Sequence, residues 1–141
     1  MNAAVARDED LTLFGFDYGE RRIGLAVGQT ITRSASPLAI ISVHDGQPDW
    51  TALTKLFEEY APRAFVVGMP TNDDGSEHPL AARVTRFCNQ LHARYRVPIE
   101  TTNEFLSSVE AHSRTGRDPS RLDAVAAQVI LETWLNEVRR T

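Results

Sequence analysis

Three acidic residues occupy positions from which they could share one site. Asp17 ends the first strand-like run, LTLFGFD, and Glu104 follows the last one, VPIETT. Asp123 lies about one turn inside the final predicted helix. Ligands of open α/β sheets bind at the carboxyl ends of the strands. Asp17 and Glu104 therefore share an edge if their strands run parallel, and Asp123 joins them if the last helix packs across that end.

The surroundings of Asp123 indicate what such a cluster would do. Ala127, Ile130 and Trp134 follow it at i+4, i+7 and i+11, so its carboxylate lies on an apolar helix face. An ionised carboxylate on such a face is costly unless it is paired or bound to a metal. Carboxylates without matching bases favour hard cations such as Mg²⁺ or Mn²⁺. Two such ions about 3.5–4 Å apart support phosphodiester hydrolysis, which predicts a nuclease.

Each acid has a plainer interpretation when it is taken alone. Asp17 precedes Tyr18-Gly19 and could only form a turn, and Glu104 could be an ordinary exposed acid. Asp123 could only stabilise the first turn of its helix through the helix dipole, an effect of about 0.3–1 kcal/mol. The order of the elements around them favours the metal site.

Apolar periodicity gives the order β-β-β-α-β-α-β-α-α. The strand-like runs are 11–17, 22–27, 37–43, 64–69 and 97–102. Helical spacing covers the stretch from Asp49 to Pro62 and about 77–95, 106–112 and 120–138. Three meandering strands followed by alternating helices and strands predict an α/β fold of the RNase H-like kind, a mixed five-stranded sheet flanked by helices. Rossmann and flavodoxin-like folds would need a helix between the early strands.

Length and composition indicate a single globular domain. The 141 residues are 42% hydrophobic and 24% charged, and no apolar run approaches the roughly 20 residues that span a bilayer. Residues 1–10 have no apolar core of a signal peptide and are interpreted as a flexible leader before one domain over 11–141. The one cysteine, Cys88, fits a cytoplasmic protein.

The charges favour a local nucleic-acid patch over a general coat. A net charge of −4 argues against a non-specific nucleic-acid coat protein, but 14 of the 15 basic residues are arginines, which suit bidentate phosphate contacts. A GC-rich genome would give the same excess. The candidate nucleic-acid-binding residues are Arg21, Arg22, Asn72, Arg114, Arg117 and Arg121. Each arginine would fit equally well as an exposed, solubilising side chain, and the loop that holds Asn72 could be only a turn.

Several motifs together resemble the YqgF/RuvX family. FDYGERRIGLAVG (16–28) is similar to its opening motif, and SASPL (34–38) to its next block. VGMPTNDDGSE (67–77), EFLSSVEA (104–111) and the helical stretch 122–131 resemble later blocks, in order and with similar spacing. Two departures stand out. The family's usual Asp-Glu-Arg is Asn103-Glu104-Phe105 here, and the stretch between Ala111 and Asp123 is shorter than usual.

The resemblance implies a nuclease of RNase H-like fold. Its metal-binding and catalytic acids would be Asp17, Glu104 and Asp123, holding Mg²⁺ or Mn²⁺, with two ions expected. The implied function is processing of the 5′ end of precursor 16S ribosomal RNA, with ribosomal particles as further partners and no membrane. Holliday junction resolution is the alternative. It would call for a dimer, because a resolvase makes paired cuts, whereas RNA processing leaves monomer or homodimer open.

Two interpretations from other classes remain open. A non-catalytic nucleic-acid-binding module of the same fold would fit the Asn103 and Phe105 departures. The Asp17-x-Gly19 spacing followed by Gly24 also resembles the first phosphate-binding hairpin of the actin and sugar-kinase ATPases. Those proteins use two such domains to enclose a nucleotide, and this chain has the length of one.

Overall fold

The computed structural model describes residues 10–70, 78–103 and 119–140, and the strands in them form one mixed sheet. The strands are β1 (Thr12–Tyr18), β2 (Arg22–Gln29), β3 (Ser34–His44), β4 (Gln47–Pro48), β5 (Ala64–Met69) and β6 (Ile99–Asn103). Their order across the sheet is β4-β3-β2-β1-β5-β6. The first four strands pair antiparallel, whereas β5 and β6 run parallel to β1. The predicted RNase H-like sheet is confirmed.

One short strand was not predicted. The Asp45-Gly46 turn has positive φ at both residues, 51° and 77°, as a two-residue hairpin turn requires. The turn pairs His44 with Gln47 and so adds the two-residue strand β4 to the five expected strands. The strand escaped prediction because two residues are too few to show an apolar period.

In the described part of the chain, three helices cover the sheet: α1 (Trp50–Tyr60), α2 (Ala81–Tyr95) and α3 (Pro119–Arg140). Asp49 caps α1, since its Oδ1 accepts a hydrogen bond of 3.1 Å from the backbone N–H of Ala52. The α2 helix begins at Ala81, later than the expected start near Glu77. The final helix agrees with its prediction, and the short helix expected over 106–112 lies outside the described residues.

The two faces of the sheet are packed in different ways. On one face, alternate residues of β1 (Phe14, Phe16 and Tyr18) join buried side chains of α1 and α2 such as Leu53 and Phe87. The other face carries small residues, and among the helices that the structure describes only α3 packs on it. A methyl group built onto Gly15 would come 2.7 Å from Cβ of Leu131 and 2.9 Å from the carbonyl oxygen of Ala127. The backbone of α3 therefore lies directly against the sheet.

Candidate active site

The close packing of α3 continues to the end of the sheet, where two of the predicted acids lie. Asp17 is the cross-strand partner of Gly24, so their side-chain positions point to the same face. A Cβ at Gly24 would overlap the backbone carbonyl of Asp123. Only a glycine allows this contact, and through it Asp123 is brought next to the position of Asp17. The packing of α3 agrees with a position of Asp123 near the end of β1, and the metal-binding role of both acids stays a prediction.

Asp123 is held in an unusual electrostatic environment. Its side chain is 27% exposed, and Nε of Arg22 lies 2.9 Å from its Oδ2. The two groups are close enough to form an ion pair. The Nε–H bond of Arg22 does not point at Oδ2, however, so the contact is not a hydrogen bond. Oδ2 is buried and accepts no hydrogen bond within the described part of the chain. A buried carboxylate oxygen is costly unless it is paired, and the positive charge of Arg22 is the partner that the described residues supply.

The parallel strands β1, β5 and β6 end at one edge of the sheet, and Asp17 lies at that edge. Phe16 of β1 is level with Val67 of β5, and Met69 of β5 is level with Asn103, the last residue of β6. Glu104, the residue after Asn103, lies outside the described residues, as do Asn72, Arg114 and Arg117. Accordingly, no group of three metal-ligating side chains occurs within residues 10–70, 78–103 and 119–137.

The predicted arginines of the first hairpin lie on opposite faces of the sheet. Arg22 begins β2 on the α3 face, where it meets Asp123. Arg21 precedes it in the turn and lines a cleft on the α2 face. Arg121 is in α3, two residues before Asp123. The structure thus brings Asp17, Arg22 and Asp123 together and separates Arg21 from them by the sheet.

Sequence reasoning missed two arginines at this end of the molecule. Arg83 and Arg86, exposed on the first turns of α2, line the same cleft as Arg21. Their i, i+3 spacing places them on one side of the helix, and that spacing was the only signal in the sequence. The sequence does not indicate what this side of α2 faces, because that depends on how α2 packs on the sheet.

The donor set fits the divalent metals that the sequence suggested. Carboxylate oxygens suit Mg²⁺ and Mn²⁺, and Oδ2 of Asp123 already attracts one cationic group, the guanidinium of Arg22 at 2.9 Å. Cys88 offers no alternative chemistry here, because burial raises the pKa of its thiol to about 11. No helix in the described residues is long and apolar enough to cross a membrane.

Comparison with known proteins shows the family of the chain. The family model described as "RuvX: Holliday junction resolvase" matches residues 11–137. A protein of Hydrogenovibrio crunogenus is 46% identical over 124 residues, covering 88% of this chain and 92% of its own length. One of Sodalis glossinidius is 43% identical over 133 residues, covering 89% and 94%. Both carry the name "Putative pre-16S rRNA nuclease".

Solved structures with the same fold are more distant in sequence. RuvC of Thermus thermophilus, in complex with a Holliday junction substrate, superimposes with a TM-score of 0.58 at 14% identity, over 93% of this chain and 97% of that one. The fowlpox virus Holliday junction resolvase gives 0.54 at 10% identity, over 91% and 99%. These likenesses confirm the RNase H-like fold. The chain therefore belongs to the RuvX family, a family of nucleases built on that fold.

Proposed function

We propose that this protein is a metal-dependent nuclease that hydrolyses phosphodiester bonds near the 5′ end of precursor 16S ribosomal RNA. The activity class follows from the family, and the RNA substrate is supported by the names of relatives at 41–46% identity over almost the whole chain. The cytoplasm is the compartment where such a precursor would be met.

One observation carries the proposal on the structural side. The backbone of α3 touches β2 at Gly24, the cross-strand neighbour of Asp17, and so places Asp123 beside it. Two carboxylates are thereby concentrated at the edge where β6 ends, one residue before Glu104. A stable fold does not need such a cluster, because carboxylates brought together without cations repel each other.

Asp17, Glu104 and Asp123 would hold the ions, two of Mg²⁺ or Mn²⁺. When bound, such ions supply the positive charge that activates an attacking water and stabilises the leaving oxygen. The protein's own contribution is to fix the carboxylates on rigid elements, a strand and a long helix. Arg22, which is exposed and adjacent to Asp123, supplies a guanidinium that can hold a backbone phosphate over the acids.

Holliday junction resolution is the second candidate function. The description of the matching family model and the likeness to RuvC favour it. Its substrate would be a four-way DNA junction, and paired symmetric cuts would require two copies of the chain.

Side-by-side cleavage assays separate these functions. End-labelled precursor 16S ribosomal RNA and a four-way DNA junction are each incubated with the protein in Mn²⁺, Mg²⁺ or EDTA. Asp17→Asn and Asp123→Asn are the test variants, and Lys55→Ala, on the exposed side of α1, is the control. The proposal predicts that RNA alone is cut, that EDTA abolishes cutting, and that only the two acid variants are inactive.

The other outcomes would each change the assignment. Symmetric cuts in the junction with no RNA cleavage would make the protein a resolvase. Binding of nucleic acid without cleavage in any metal would make it a non-catalytic module, in agreement with the altered Asn103 and Phe105. Full activity of Asp123→Asn would overturn the role of the α3 carboxylate.

A further inference from the structure

A second cleft lies at the same end of the molecule as the acids, on the opposite face of the sheet. It has a volume of about 450 Å³, within the range of roughly 300–1,000 Å³ that is typical of ligand sites. The turn between β1 and β2 forms one wall, the turn between β3 and β4 a second, and α2 the third. The cleft is distinct from the acid cluster, because α2 and α3 cover different faces of the sheet.

The cleft concentrates positive charge in a chain whose net charge is −4. Arg21, Arg83 and Arg86 line it, against two carboxylates, Glu20 and Asp45. Glu20 and Arg83 approach to 3.3 Å, but both side chains are more than half exposed, and such a pair contributes little. Arg21 and Arg86 form no ion pair with any other residue that the structure describes. Their guanidinium groups are therefore available to an anion.

Rigid packing beneath the cleft presents these arginines. The ring of Tyr18, at the end of β1, lies 5.1 Å from the ring of Phe87 on α2. Phe87 and Val84 are fully buried beside Arg83 and Arg86, which anchors this part of the helix. A charge held on an anchored helix loses less backbone freedom on binding than one on a loop.

The first hairpin connects the cleft to the acids. Tyr18 of the cleft directly follows Asp17, and Arg21 of the cleft directly precedes Arg22, which contacts Asp123. A strand that crosses the end of the sheet with a phosphate at Arg22 would next meet Arg21 and the arginines of α2. A protein partner would not need this continuity with the acid cluster, whereas a polyanion would.

We propose that this cleft, here called the arginine cleft and defined by Arg21, Arg83 and Arg86, binds backbone phosphates of a single nucleic-acid strand whose scissile bond lies at the acids. The inference rests on the proposed nuclease function and adds to it a second binding region. Contacts of this kind position the substrate without regard to base sequence. They therefore contribute to affinity and to the salt dependence of binding, and leave the chemical step unchanged.

Binding measured without cleavage tests the arginine cleft directly. A short fluorescein-labelled single-stranded RNA is titrated in EDTA, with anisotropy recorded across a series of salt concentrations. The test variant is Arg83→Ala/Arg86→Ala, which keeps α2 intact because alanine is the best helix former. The control is Lys55→Ala/Arg63→Ala, which removes the same charge from α1 and from the start of β5, at the opposite end of the sheet.

The expected result is a difference in salt slope between the two variants. Loss of two phosphate contacts makes the slope of log K against log salt less steep by about 1.4 for a single strand. The wild type would then lose about sevenfold more affinity than the test variant between about 50 and 200 mM salt. The control should keep the wild-type slope. In cleavage assays the test variant should have a raised KM and an unchanged kcat.

Failure of this inference differs from failure of the nuclease function. The wild type could cut RNA while both double variants keep the wild-type salt slope and the wild-type KM. In that case the arginine cleft is not a binding region and the nuclease assignment stands. If the slope changes as expected but no metal supports cleavage, the cleft is confirmed and the nuclease function fails. If the wild type does not bind single-stranded RNA, the inference is overturned.

Discussion

The two faces of the sheet pack against their helices in opposite ways. On the α1/α2 face, large rings interlock, with Phe14 and Phe65 stacked at 6.0 Å and Phe16 edge-on to Phe65 at 5.2 Å. On the α3 face, glycines remove the side chains altogether, so the helix backbone touches the strands at Gly15 and Gly24. The aromatic face holds the larger cluster of buried apolar side chains, whose burial stabilises the fold. The glycine face fixes the position of a helix, and with it the position of Asp123.

This difference explains why the candidate site lies where it does. A carboxylate on a bulky aromatic interface would be held away from the strands by the side chains between them. Direct backbone contact brings Asp123 to the end of β1 and tolerates no added methyl group. Substitutions on the two faces should therefore have different effects. Those on the α1/α2 face should lower stability, and those on the α3 face should change the position of Asp123.

The largest effect on activity is expected from Gly24→Ala. The new Cβ would overlap the carbonyl of Asp123, so α3 must move away from β2. A displacement of about 1 Å in a catalytic group can cost on the order of 100-fold in rate. Cleavage of precursor RNA at a temperature where circular dichroism shows the variant folded is the measurement. Activity near that of the wild type would mean that α3 does not need this contact.

Phe14→Leu should lower the stability of the protein and leave its activity unchanged. Phe14 is fully buried among the rings of the α1/α2 face, and the smaller side chain should lower the free energy of unfolding by about 1–2 kcal/mol. Cleavage by the folded protein should remain at the wild-type rate. Urea denaturation together with the cleavage assay checks both statements. A folded Phe14→Leu protein as inactive as Gly24→Ala would remove the distinction between the faces.

Arg22→Ala should change metal and RNA binding in opposite directions. The guanidinium beside Oδ2 of Asp123 competes with a cation for that oxygen, so its removal should tighten Mn²⁺ binding by about fivefold. Loss of one phosphate contact should make the salt slope of RNA binding less steep by about 0.7. Calorimetry with Mn²⁺ and anisotropy with RNA measure the two effects, and Arg63→Ala serves as control. Weaker Mn²⁺ binding by Arg22→Ala would show that the arginine supports the metal site instead.

The smallest effect concerns Cys88 on the α1/α2 face. Burial raises the pKa of its thiol to about 11, so roughly a thousandth is ionised at pH 8. Alkylation by iodoacetamide should be slow in the native protein and fast in urea. Because the unfolded thiol ionises near pH 9, its contribution to stability should be lost as the pH rises from about 9 to 11. Rapid alkylation of the folded protein would show that this side of α2 is open to solvent.

Local signals in the sequence were sufficient for much of the fold. The side chain of Asp49 caps α1, and the Asp45-Gly46 pair forms a tight hairpin turn, each for reasons confined to a few neighbouring residues. The mixed sheet followed from the order of the elements along the chain. The position of Asp17 at the end of β1 and the inward face of α3 followed from apolar periodicity.

Local signals of this kind could not predict contacts between segments that are distant in the sequence. The glycine at position 24 appears in the sequence as one small residue in a strand, and only the packing of α3 shows that it fixes Asp123. The ion pair between Arg22 and Asp123 and the cleft at Arg83 and Arg86 depend in the same way on how helices pack on the sheet. Glu104, the third predicted acid, remains a prediction.

A double-mutant cycle on metal binding tests the central claim that Asp17 and Asp123 serve one metal centre. Mn²⁺ would be titrated by calorimetry into the wild type, Asp17→Asn, Asp123→Asn and the double variant. The account predicts that each single variant weakens binding by at least about tenfold and that the double variant is hardly weaker than either one, because the residues act as a unit. Independent, additive losses, or a wild type that does not bind Mn²⁺, would contradict it.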